Sequence, residues 1–488
     1  MNWTLLTPGS SAGREGEEKH CHTPVEVIKT FSSAHFTGVA MAFKDLRSLI
    51  AGLEAAGELQ RVAVEVDPDL EIACITDRQS KLPGGGKALL FEKVKGSPFQ
   101  VATNLFGSPA RMALALGVAE LGRLSEAMEK LLTSPGLAPL PLLVDRGPCR
   151  EVVERPPDLL RYPFLKSWPG DGGRFITLPL VFTRDPETGE DNCGMYRVRI
   201  FDDGSAGVRW KNGSGGWAHY RKHMASGKRM PVAIAVGADP ALTLAASLPL
   251  PAGLNEVPFA GYLRGEPVPM LRCLDSDLLV PADAELVIEG FVEPGATRNE
   301  GAFGNHTGSY DQGEEVPLLT VTCITRRRDP ICQATVVGPP PMEDCWMAKG
   351  AERLLLPLAR RQCPEIVDLS LPLEGIFHGC ALIAIEKTLP GQGRRVLDKL
   401  RSEGWLQRGK LLVVVDAGDN PLTMSEGFWR ALNGVRFPGD LALTPDGCLG
   451  VDATRKLPEE GGGQYQELRQ DASVSAQVAR RWREYGFL

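Results

Sequence analysis

Hydrophobic positions in the first part of the sequence recur at helical spacing and then in short strand-like runs. Phe43, Leu46, Leu49 and Leu53 lie three or four residues apart, which places them on one face of a helix. A proline-rich segment, 134–141, ends this part because proline cannot continue a helix. The pattern predicts an N-terminal α/β domain over residues 41–143, with helices at 70–81, 111–116 and 121–132 and strands at 88–91 and 100–103.

The pattern changes to short β runs between residues 144 and 328. These runs alternate between apolar and polar residues or are wholly apolar, and glycine and proline separate them. The sequence therefore predicts a central β-rich, barrel-like domain over residues 144–328. Its predicted strands are 176–182, 195–201, 232–236, 285–292 and 318–325.

Helices and strands alternate again over residues 329–488, which is the pattern of a βαβ sheet. The predicted strands are 381–386 and 411–415, and the predicted helices are 347–361, 394–402 and 423–432. A last amphipathic helix, 474–484, carries Val474, Val478, Ala479 and Trp482 along one apolar stripe. We expect this helix to pack on a second subunit. The predicted fold class is thus α/β, with a β-rich central domain between two α/β domains.

Residues 1–40 mix glycine, serine and charged residues without periodicity, and they lack the apolar core of a signal peptide. They are predicted to be a disordered extension, or to result from a start codon placed too far upstream. The segment His20-Cys21-His22 could grip a metal, but in such a polar tail an incidental cluster is the better interpretation.

Composition narrows the class of protein further. The 488 residues carry a formal net charge of −7, which gives no reason to expect nucleic acid as a partner. No apolar run approaches the ~20 residues that a membrane-spanning helix needs. The eleven cysteines are odd in number and scattered, which favours reduced thiols and a cytoplasmic protein over a disulfide framework.

The segment 192–197, Asn-Cys-Gly-Met-Tyr-Arg, has unusual chemistry. It opens a strand-like run in which Arg197 and Arg199 stand among apolar neighbours. An unpaired buried charge is very costly, so a buried arginine requires an anion or a carboxylate partner. The glycine-rich segment 213–216 lets backbone N–H groups approach a phosphate closely. A surface hairpin with its arginines in water is the alternative that this segment leaves open.

A second segment, 299–308, pairs the carboxylate of Glu300 with a glycine-rich turn and leads to Asn305 and His306. Together the two segments resemble the UbiD family of prenylated-FMN-dependent decarboxylases and carboxylases, whose patterns read N-x-G-[MI]-Y-R and E-G-P-[FY]-G-[DE]-H/M-x-G. The resemblance extends over nearly all of the chain after residue 40, and segments 168–173 and 340–344 resemble the menaquinone-biosynthesis branch. The chain keeps Asn192, Gly194, Met195, Tyr196, Arg197, Glu300, Gly301, Phe303 and Gly304 of the two patterns.

The resemblance implies both a fold and an activity. The central domain is expected to be a split barrel that binds prenylated FMN, supplied by a flavin prenyltransferase. The expected reaction is the reversible, non-oxidative decarboxylation of a small aromatic or α,β-unsaturated acid, in quinone biosynthesis of the menaquinone or ubiquinone type. A cofactor must carry the hard step because no side chain can accept the electron pair left on carbon. The resemblance also implies a homodimer or homohexamer.

Residue roles follow from the resemblance position by position. Arg197 is expected to bind the substrate carboxylate or to hold Glu300, the first carboxylate of the family's glutamate–arginine–acid network. Asn192 and Glu256 match two ligands of a divalent metal, manganese or magnesium, that anchors the cofactor phosphate. Backbone positions at Ser247 and Leu248 match a potassium site. The expected cofactor contacts are Thr177, Asn192, Met195, Tyr196, Arg197, Arg209, Trp210, Lys211, Ser214, Gly215, Glu256 and Lys456.

Two positions depart from the family pattern. Gly213 stands where a metal-binding histidine is usual, so water or nearby His219 must replace that ligand. Asn305 stands where the second carboxylic acid is usual, and an amide cannot deliver a proton near neutral pH. Protonation then falls to His306, to Glu300 or to water. The alternative prediction is a catalytically impaired, noncatalytic partner subunit or flavin-binding protein.

Overall fold

The computed structural model describes residues 43–251, 253–376, 378–402, 409–418, 420–445, 447–463, 468 and 470–487. The predicted extension at 1–40 and its His-Cys-His segment lie outside the described residues. Within the described part, no helix is both long and apolar enough to cross a membrane. All ten cysteines in the same part are free thiols.

The described residues form eleven helices and twenty-three strands. The helices are α1 Leu46–Ala55, α2 Glu71–Ser80, α3 Pro109–Ala115, α4 Arg123–Thr133, α5 Gly215–Ala225, α6 Pro240–Ala245, α7 Glu256–Arg264, α8 Glu343–Gln362, α9 Gln392–Ser402, α10 Met424–Gly434 and α11 Ala472–Arg480. The strands are β1 Leu59–Val66, β2 Ala88–Val94, β3 Gln100–Thr103, β4 Leu142–Leu143, β5 Val152–Glu154, β6 Arg174–Ile176, β7 Leu180–Arg184, β8 Asp191–Met195, β9 Val198–Ile200, β10 Ala206–Val208, β11 Met230–Val236, β12 Pro269–Arg272, β13 Leu279–Pro281, β14 Leu286–Asn299, β15 Phe303–Gly304, β16 Tyr310–Asp311, β17 Glu315–Arg326, β18 Ile331–Gln333, β19 Ile366–Ser370, β20 Cys380–Ile385, β21 Leu411–Asp416, β22 Leu441–Leu443 and β23 Leu449–Asp452.

The N-terminal part contains a four-stranded sheet in the order β1-β2-β3-β18, with α1 to α4 in the same part of the chain. Asp45 caps α1 by accepting a hydrogen bond from the backbone of Ser48, and Ser108 caps α3 in the same way. The fourth strand, β18, comes from the segment predicted as the third domain. It pairs in parallel with β3, so the chain returns to the first sheet after the central one.

A curled nine-stranded sheet forms the centre, in the order β6-β9-β10-β17-β14-β11-β7-β8, with β5 pairing on β17. Both of its faces are covered. In β11, Ala233 and Ala235 pack into one buried cluster, while Val232, Ile234 and Val236 pack into the other. This alternation follows from the two-residue period of a strand. The predicted β-rich central region is therefore confirmed, and its inward and outward apolar residues serve two separate cores.

Some central elements differ from the sequence prediction. The predicted strand 176–182 is two strands, β6 and β7, because Pro179 lies between them and lacks an N–H for the ladder. The predicted strand 195–201 is also interrupted, at Tyr196 and Arg197 between β8 and β9. Helices α5, α6 and α7 were not predicted; α5 and α7 carry glycine within them and α7 carries proline as well, which weakened the helical signal.

The C-terminal part contains a five-stranded sheet in the order β19-β20-β21-β23-β22, in which β20, β21 and β23 are parallel. This is the predicted alternating α/β pattern. The long helix α8 precedes the sheet and packs on α4 and α3 of the N-terminal part. Helix α11 ends at Arg480, a turn before the predicted end at 484, and none of its residues is buried.

A buried carboxylate, Glu285, ties the N-terminal helix to the central sheet. Its side chain is fully buried and accepts hydrogen bonds from Arg47 at 2.8 and 2.9 Å and from the backbone N–H of Ile331 at 3.1 Å. The guanidinium of Arg327 lies 3.3 Å away. Because these partners come from two distant parts of the chain, around residues 47 and 327–331, the carboxylate links the N-terminal helix to the central sheet.

We expect Glu285→Ala to destabilise the fold by about 3 kcal/mol, because it removes the buried carboxylate that Arg47 and the buried Arg327 share and leaves Arg327 with Asp45 as its remaining salt-bridge partner in the described part of the chain. The measurement is the urea midpoint of unfolding followed by tryptophan fluorescence. Glu54→Ala is the matched control, since Glu54 pairs with Arg61 on the surface and exposed pairs contribute little. An unchanged midpoint for Glu285→Ala would show that this link does not hold the two parts together.

Candidate active site

A cavity of about 440 Å³ opens between the central sheet, the β15–β16 hairpin and α8. This volume lies within the range of small-molecule and cofactor sites. Its walls combine apolar side chains with a cluster of charged ones. The lining includes nine residues singled out from the sequence: Thr177, Met195, Tyr196, Arg197, Arg209, Lys211, Ser247, Asn305 and His306.

Arg197 occupies the break between β8 and β9, where the chain leaves one strand and begins the next. Its Nε and Nη2 donate to the two oxygens of Glu300 at 3.0 and 2.6 Å, and its Nη1 donates to Asp311 at 3.0 Å. The guanidinium also lies over the ring of Phe303, 4.3 Å from its centroid. The predicted pairing of Arg197 with Glu300 is present, and a second carboxylate joins it.

Glu300 is shared by two guanidinium groups. Arg209 Nη1 donates at 3.0 Å to Glu300 Oε1, the oxygen that also accepts from Arg197 Nη2. Arg209 Nη2 donates to Glu314 at 2.8 Å. Glu300 is only 1% exposed. Burial of this carboxylate is tolerable because two cations and three short hydrogen bonds compensate it.

Arg199, the other arginine of the predicted run, has a different environment. The sequence predicts an anion or carboxylate partner for it, yet its guanidinium donates to the backbone carbonyls of Glu300, Arg174, Ile200 and Gly172. Burial lowers its pKa from the ordinary value. The prediction of a carboxylate partner for Arg199 is therefore wrong, because carbonyl oxygens converge there instead.

Asn192 and Glu256, the two predicted metal ligands, lie at a buried corner beside the cavity. Glu256 begins α7 and accepts a hydrogen bond from the backbone of Cys193 at 3.3 Å. No salt bridge to it occurs among the described residues, and burial raises its pKa to about 7. Asn192 Nδ2 is buried and has no hydrogen-bond partner in the described part. The carboxylate of Glu256 and the amide oxygen of Asn192 are oxygen donors of the kind that magnesium and manganese prefer, so this corner fits a divalent cation, while the Asn192 N–H group could donate to a phosphate or water oxygen.

The glycine-rich segment after β10 leads directly into α5. Gly213 has φ +82°, a conformation that side-chain-bearing residues rarely adopt, and a Cβ on Gly215 would lie 2.0 Å from Asn192 Oδ1. Ser214 caps the helix by accepting from the backbone N–H of Trp217 at 3.1 Å. His219, the suggested replacement ligand, is buried, and its Nδ1 hydrogen-bonds Thr183 Oγ1 at 2.9 Å.

Other residues predicted to contact the cofactor or the potassium ion lie on the cavity wall or behind it. Thr177 Oγ1 accepts from the backbone N–H of Thr335 at 3.0 Å, and both residues line the cavity. Trp210 is buried behind the wall and stacks on Tyr220, with ring centroids 5.6 Å apart. Leu248 is buried at the end of α6 and, unlike Ser247, does not line the cavity.

The β15–β16 hairpin brings Asn305 and Asp311 together. Phe303 pairs with Asp311 across the two strands, and Asn305 Nδ2 donates to Asp311 Oδ1 at 2.7 Å. Asn305 Oδ1 accepts from the backbone N–H of Thr307 at 2.8 Å. The amide at the family's acid position therefore orients a carboxylate six residues further on. Asp311 was not selected from the sequence.

Two histidines and an acid form another part of the cavity wall. His306 and His378 are in edge-to-face contact with centroids 5.5 Å apart, and His306 Nδ1 lies 3.9 Å from Asp344. Burial, with the neighbouring His378 and Lys211, lowers the pKa of His306 to about 4. Burial raises the pKa of Asp344 to about 7. The imidazole of His306 is thus neutral at pH 7, and it carries no extra proton to donate.

Lys456, predicted to reach the cofactor phosphate, lies elsewhere. Its Nζ donates to the backbone carbonyls of Asp452 and Thr454 at 2.9 and 3.0 Å and lies 3.1 Å from Asp440. Lys456, Asp440 and Asp452 border a second cavity, of about 400 Å³, in the C-terminal part. Lys456 does not line the cavity that holds Arg197, and its role toward a phosphate stays a prediction.

Three ionisable cavity residues, Asp311, Asp344 and His378, were not predicted as participants from the sequence. For Asp311 a signal existed, since Gly304 and Gly308 mark a tight turn that can place residues 305 and 311 side by side. Asp344 was noticed only as part of the segment 340–344. Nothing in its local pattern indicates that α8 turns this residue toward the cavity.

The curled sheet, the α/β parts on either side of it and the buried arginine–carboxylate cluster define a multi-domain α/β enzyme. Three domain models of one family match the chain in order. They are the N-terminal, Rift-related and C-terminal domains of 3-octaprenyl-4-hydroxybenzoate carboxy-lyase, over residues 50–131, 142–340 and 345–464. The chain belongs to the UbiD family, and it is an enzyme of the UbiD decarboxylase type.

Individual proteins are similar to this chain along nearly its whole length. An uncharacterized Archaeoglobus fulgidus protein is 41% identical over 485 residues, covering 91% of this chain and 99% of that protein. HmfF from Pelotomaculum thermopropionicum, solved in complex with prFMN, has a TM-score of 0.79 at 29% identity, covering 89% and 98% of the two chains. Vanillic acid decarboxylase from Sedimentibacter hydroxybenzoicus, in its closed form, has a TM-score of 0.83 at 27% identity, covering 91% and 99%.

Proposed function

We propose that this protein binds prenylated FMN in the cavity around Arg197 and catalyses the reversible decarboxylation of an aromatic or α,β-unsaturated acid. The observation that carries the proposal is Arg197 itself, which reaches the cavity while it is held between Glu300 and Asp311. A guanidinium fixed in this way can receive a carboxylate in one orientation.

The residues around the buried corner suit a flavin phosphate and its metal. Asn192 and Glu256 would hold the divalent cation; since no group of three His, Cys, Asp or Glu suited to a metal occurs among the described residues, phosphate or water oxygens would complete it. Ser214 and Gly215 stand at the N-terminus of α5, where backbone N–H groups favour an anion. Prenylated FMN, once bound, supplies the electron sink that decarboxylation requires.

The chain's own residues would then position the acid. Arg197 receives its carboxylate, with Arg209 and Lys211 adding positive charge at the same end of the cavity. Leu178, Val337 and Met347 supply apolar surface for the ring and exclude water from it. With water excluded, the contact between Arg197 and the departing carboxylate is stronger than it would be in solvent.

The biological setting we propose is quinone biosynthesis of the menaquinone type, in the cytoplasm. Segments 168–173 and 340–344 support it by their resemblance to that branch, and both border the site. Trp168 donates to the carbonyl of Val337 at 2.8 Å, and Asp171 accepts from the backbone N–H of Gly304 at 2.7 Å. The substrate would accordingly be an aromatic or polycyclic acid.

An aromatic-acid panel tests the proposed function. Protein co-produced with a flavin prenyltransferase is incubated with each acid and ¹³C-bicarbonate, and incorporation of ¹³C into the carboxyl group is followed by mass spectrometry. We expect at least one aromatic or polycyclic acid to exchange. Flavin-loaded protein that exchanges no acid of the panel would favour the noncatalytic alternative.

We also propose a homodimer or a homohexamer that depends on the terminal helix. Val474, Trp482 and Phe487 are about half exposed, and the rings of Trp482 and Phe487 stack on each other with no buried residue in α11 beneath them. Exposed apolar surface of this kind is typical of an interaction site.

We expect deletion of the residues after Ala472 to lower the oligomeric mass measured by light scattering. Because α11 has no buried residue in the single chain, the melting behaviour of each subunit should change little. The full-length variant Trp482→Ala, Phe487→Ala is the control for chain length, and it should weaken the assembly in the same direction. An unchanged mass for both proteins would place the subunit interface elsewhere.

A further inference from the structure

The cavity needs a group that can exchange protons with water and also reach the substrate. When CO₂ leaves, the carbon–carboxyl bond breaks and its electron pair stays on the substrate carbon, which must then gain a proton. Asn305 cannot supply one, because an amide does not give up a proton near neutral pH. Among the described residues of the cavity wall, the groups to weigh are therefore Asp311, Asp344 and the histidine pair His306 and His378, together with Glu300 behind the wall.

Three of these four groups are poorly suited to the task. Glu300 is 1% exposed, has its two oxygens held by Arg197 and Arg209, and does not line the cavity. Protonating it would sacrifice hydrogen bonds to two cations. His306 and His378 are neutral at pH 7, since burial lowers the pKa of each to about 4. The side chain of Asp344 is only 15% exposed, which restricts its exchange with water.

Asp311 meets both requirements. It lines the cavity, and its side chain is 44% exposed. Arg197 contacts one of its oxygens at 3.0 Å and Asn305 contacts the other at 2.7 Å. The two contacts fix the carboxyl group next to the position where Arg197 would hold the substrate carboxylate.

We propose that Asp311 carries the proton between water and the substrate carbon, with Asn305 as its positioning residue. The acid of this site thus lies at position 311, across the β15–β16 hairpin from position 305, where the family pattern has it. The proposal rests on the decarboxylation proposed above. The balanced step is substrate carboxylate plus protonated Asp311 giving CO₂, the protonated product carbon and the Asp311 carboxylate. A proton from solvent, equivalent to the one released when CO₂ is hydrated to bicarbonate, then restores the Asp311 acid.

Charge balance explains how Asp311 gains its proton. The cations at this end of the cavity are Arg197, Arg209 and Lys211, and the anions are Glu300, Asp311 and Glu314, so the two sets are equal in number. A bound substrate carboxylate adds a fourth anion. Like charges in one site favour protonation of one member. Among the three anions the structure places here, Asp311 combines access to water with a position on the cavity wall, so the proton enters there together with the substrate.

Proton uptake on ligand binding tests this directly. Benzoate is titrated into protein co-produced with a flavin prenyltransferase, by calorimetry in two buffers of different ionisation enthalpy. We expect the wild type to take up about one proton per benzoate and Asp311→Asn to take up close to none. Uptake that survives in Asp311→Asn, or is lost in Asp344→Asn or His306→Ala instead, would assign the proton to another group. A wild type without uptake would overturn the proposal.

The exchange reaction gives a second readout with a rescue variant. Asp311→Asn should lower ¹³C exchange by about 100-fold or more, the typical contribution of a positioned acid. Asn305→Asp alone would place two carboxylates together, whereas Asn305→Asp with Asp311→Asn restores one acid and one amide and should recover at least ~10-fold. If the double variant stays as slow as Asp311→Asn, the assignment of Asp311 as the acid and of Asn305 as its positioning residue is wrong. Proton uptake by Asp311 without exchange of any acid would instead contradict the decarboxylase function, while the role of Asp311 as a proton carrier would stand.

Discussion

Changing Arg197 to lysine is expected to lower ¹³C exchange by at least about 100-fold while the cofactor stays bound, because it removes the guanidinium that we propose receives the substrate carboxylate. Arginine contacts Glu300 through two N–H groups and Asp311 through a third. The compact ammonium of lysine cannot reproduce that planar fork. It can neutralise one carboxylate at a time, so the second would lose its orientation.

The matched control is Arg298→Lys. Arg298 lies on β14 of the same sheet, but it pairs with Asp203 where both side chains are about half exposed. Exchange by this variant should match the wild type, and absorbance at the flavin bands should show equal occupancy in all three proteins. If Arg197→Lys exchanges ¹³C as fast as the wild type, a group other than Arg197 receives the substrate carboxylate.

Glu256→Ala is expected to purify without its divalent metal and with little or no flavin. Glu256 is a half-buried residue at the start of α7, and burial of its carboxylate raises its pKa to about 7. A carboxylate in this state is stabilised by a bound cation, and a cation shared with a phosphate would in turn hold the cofactor. Alanine removes both oxygens.

Metal content by plasma mass spectrometry and flavin by absorbance check this expectation. Glu256→Gln separates loss of ligand from loss of fold, because it keeps the shape of the side chain while removing its charge. Asn255→Ala is the neighbouring control, since the Asn255 side chain makes no capping hydrogen bond to α7. Full flavin occupancy in Glu256→Ala and Glu256→Gln would show that this corner does not anchor the cofactor.

The architecture was largely predictable because its hydrophobic periods are clear. Strand β3 was predicted with its observed bounds, and β11, β20 and β21 within about two residues, since buried apolar runs between glycine, proline and polar residues are typical of strands. What the pattern could not predict was the return of β18 to the first sheet. That pairing depends on contacts between residues 100–102 and 331–333, which no local period encodes.

The site was predictable where its chemistry lies in one segment, and not where tertiary structure assembles it. Arg197 and Glu300 lie in recognisable segments, and the structure joins them at hydrogen-bond distance. Asp311 becomes a partner of Arg197 only through the register of the β15–β16 hairpin. Arg199 shows the opposite case, because carbonyl groups from four residues replace the carboxylate that a buried cation was expected to need.

The most direct test of the account is the identity of the bound cofactor. Protein co-produced with a flavin prenyltransferase would be released from its ligand under native conditions, and the ligand's mass and absorbance would be measured together. We expect about one prenylated FMN per chain with a divalent metal, both lost in Glu256→Ala. Wild-type protein that carries no flavin, or only unmodified FMN after co-production, would contradict the assignment of the cavity around Arg197 as a prenylated-FMN site.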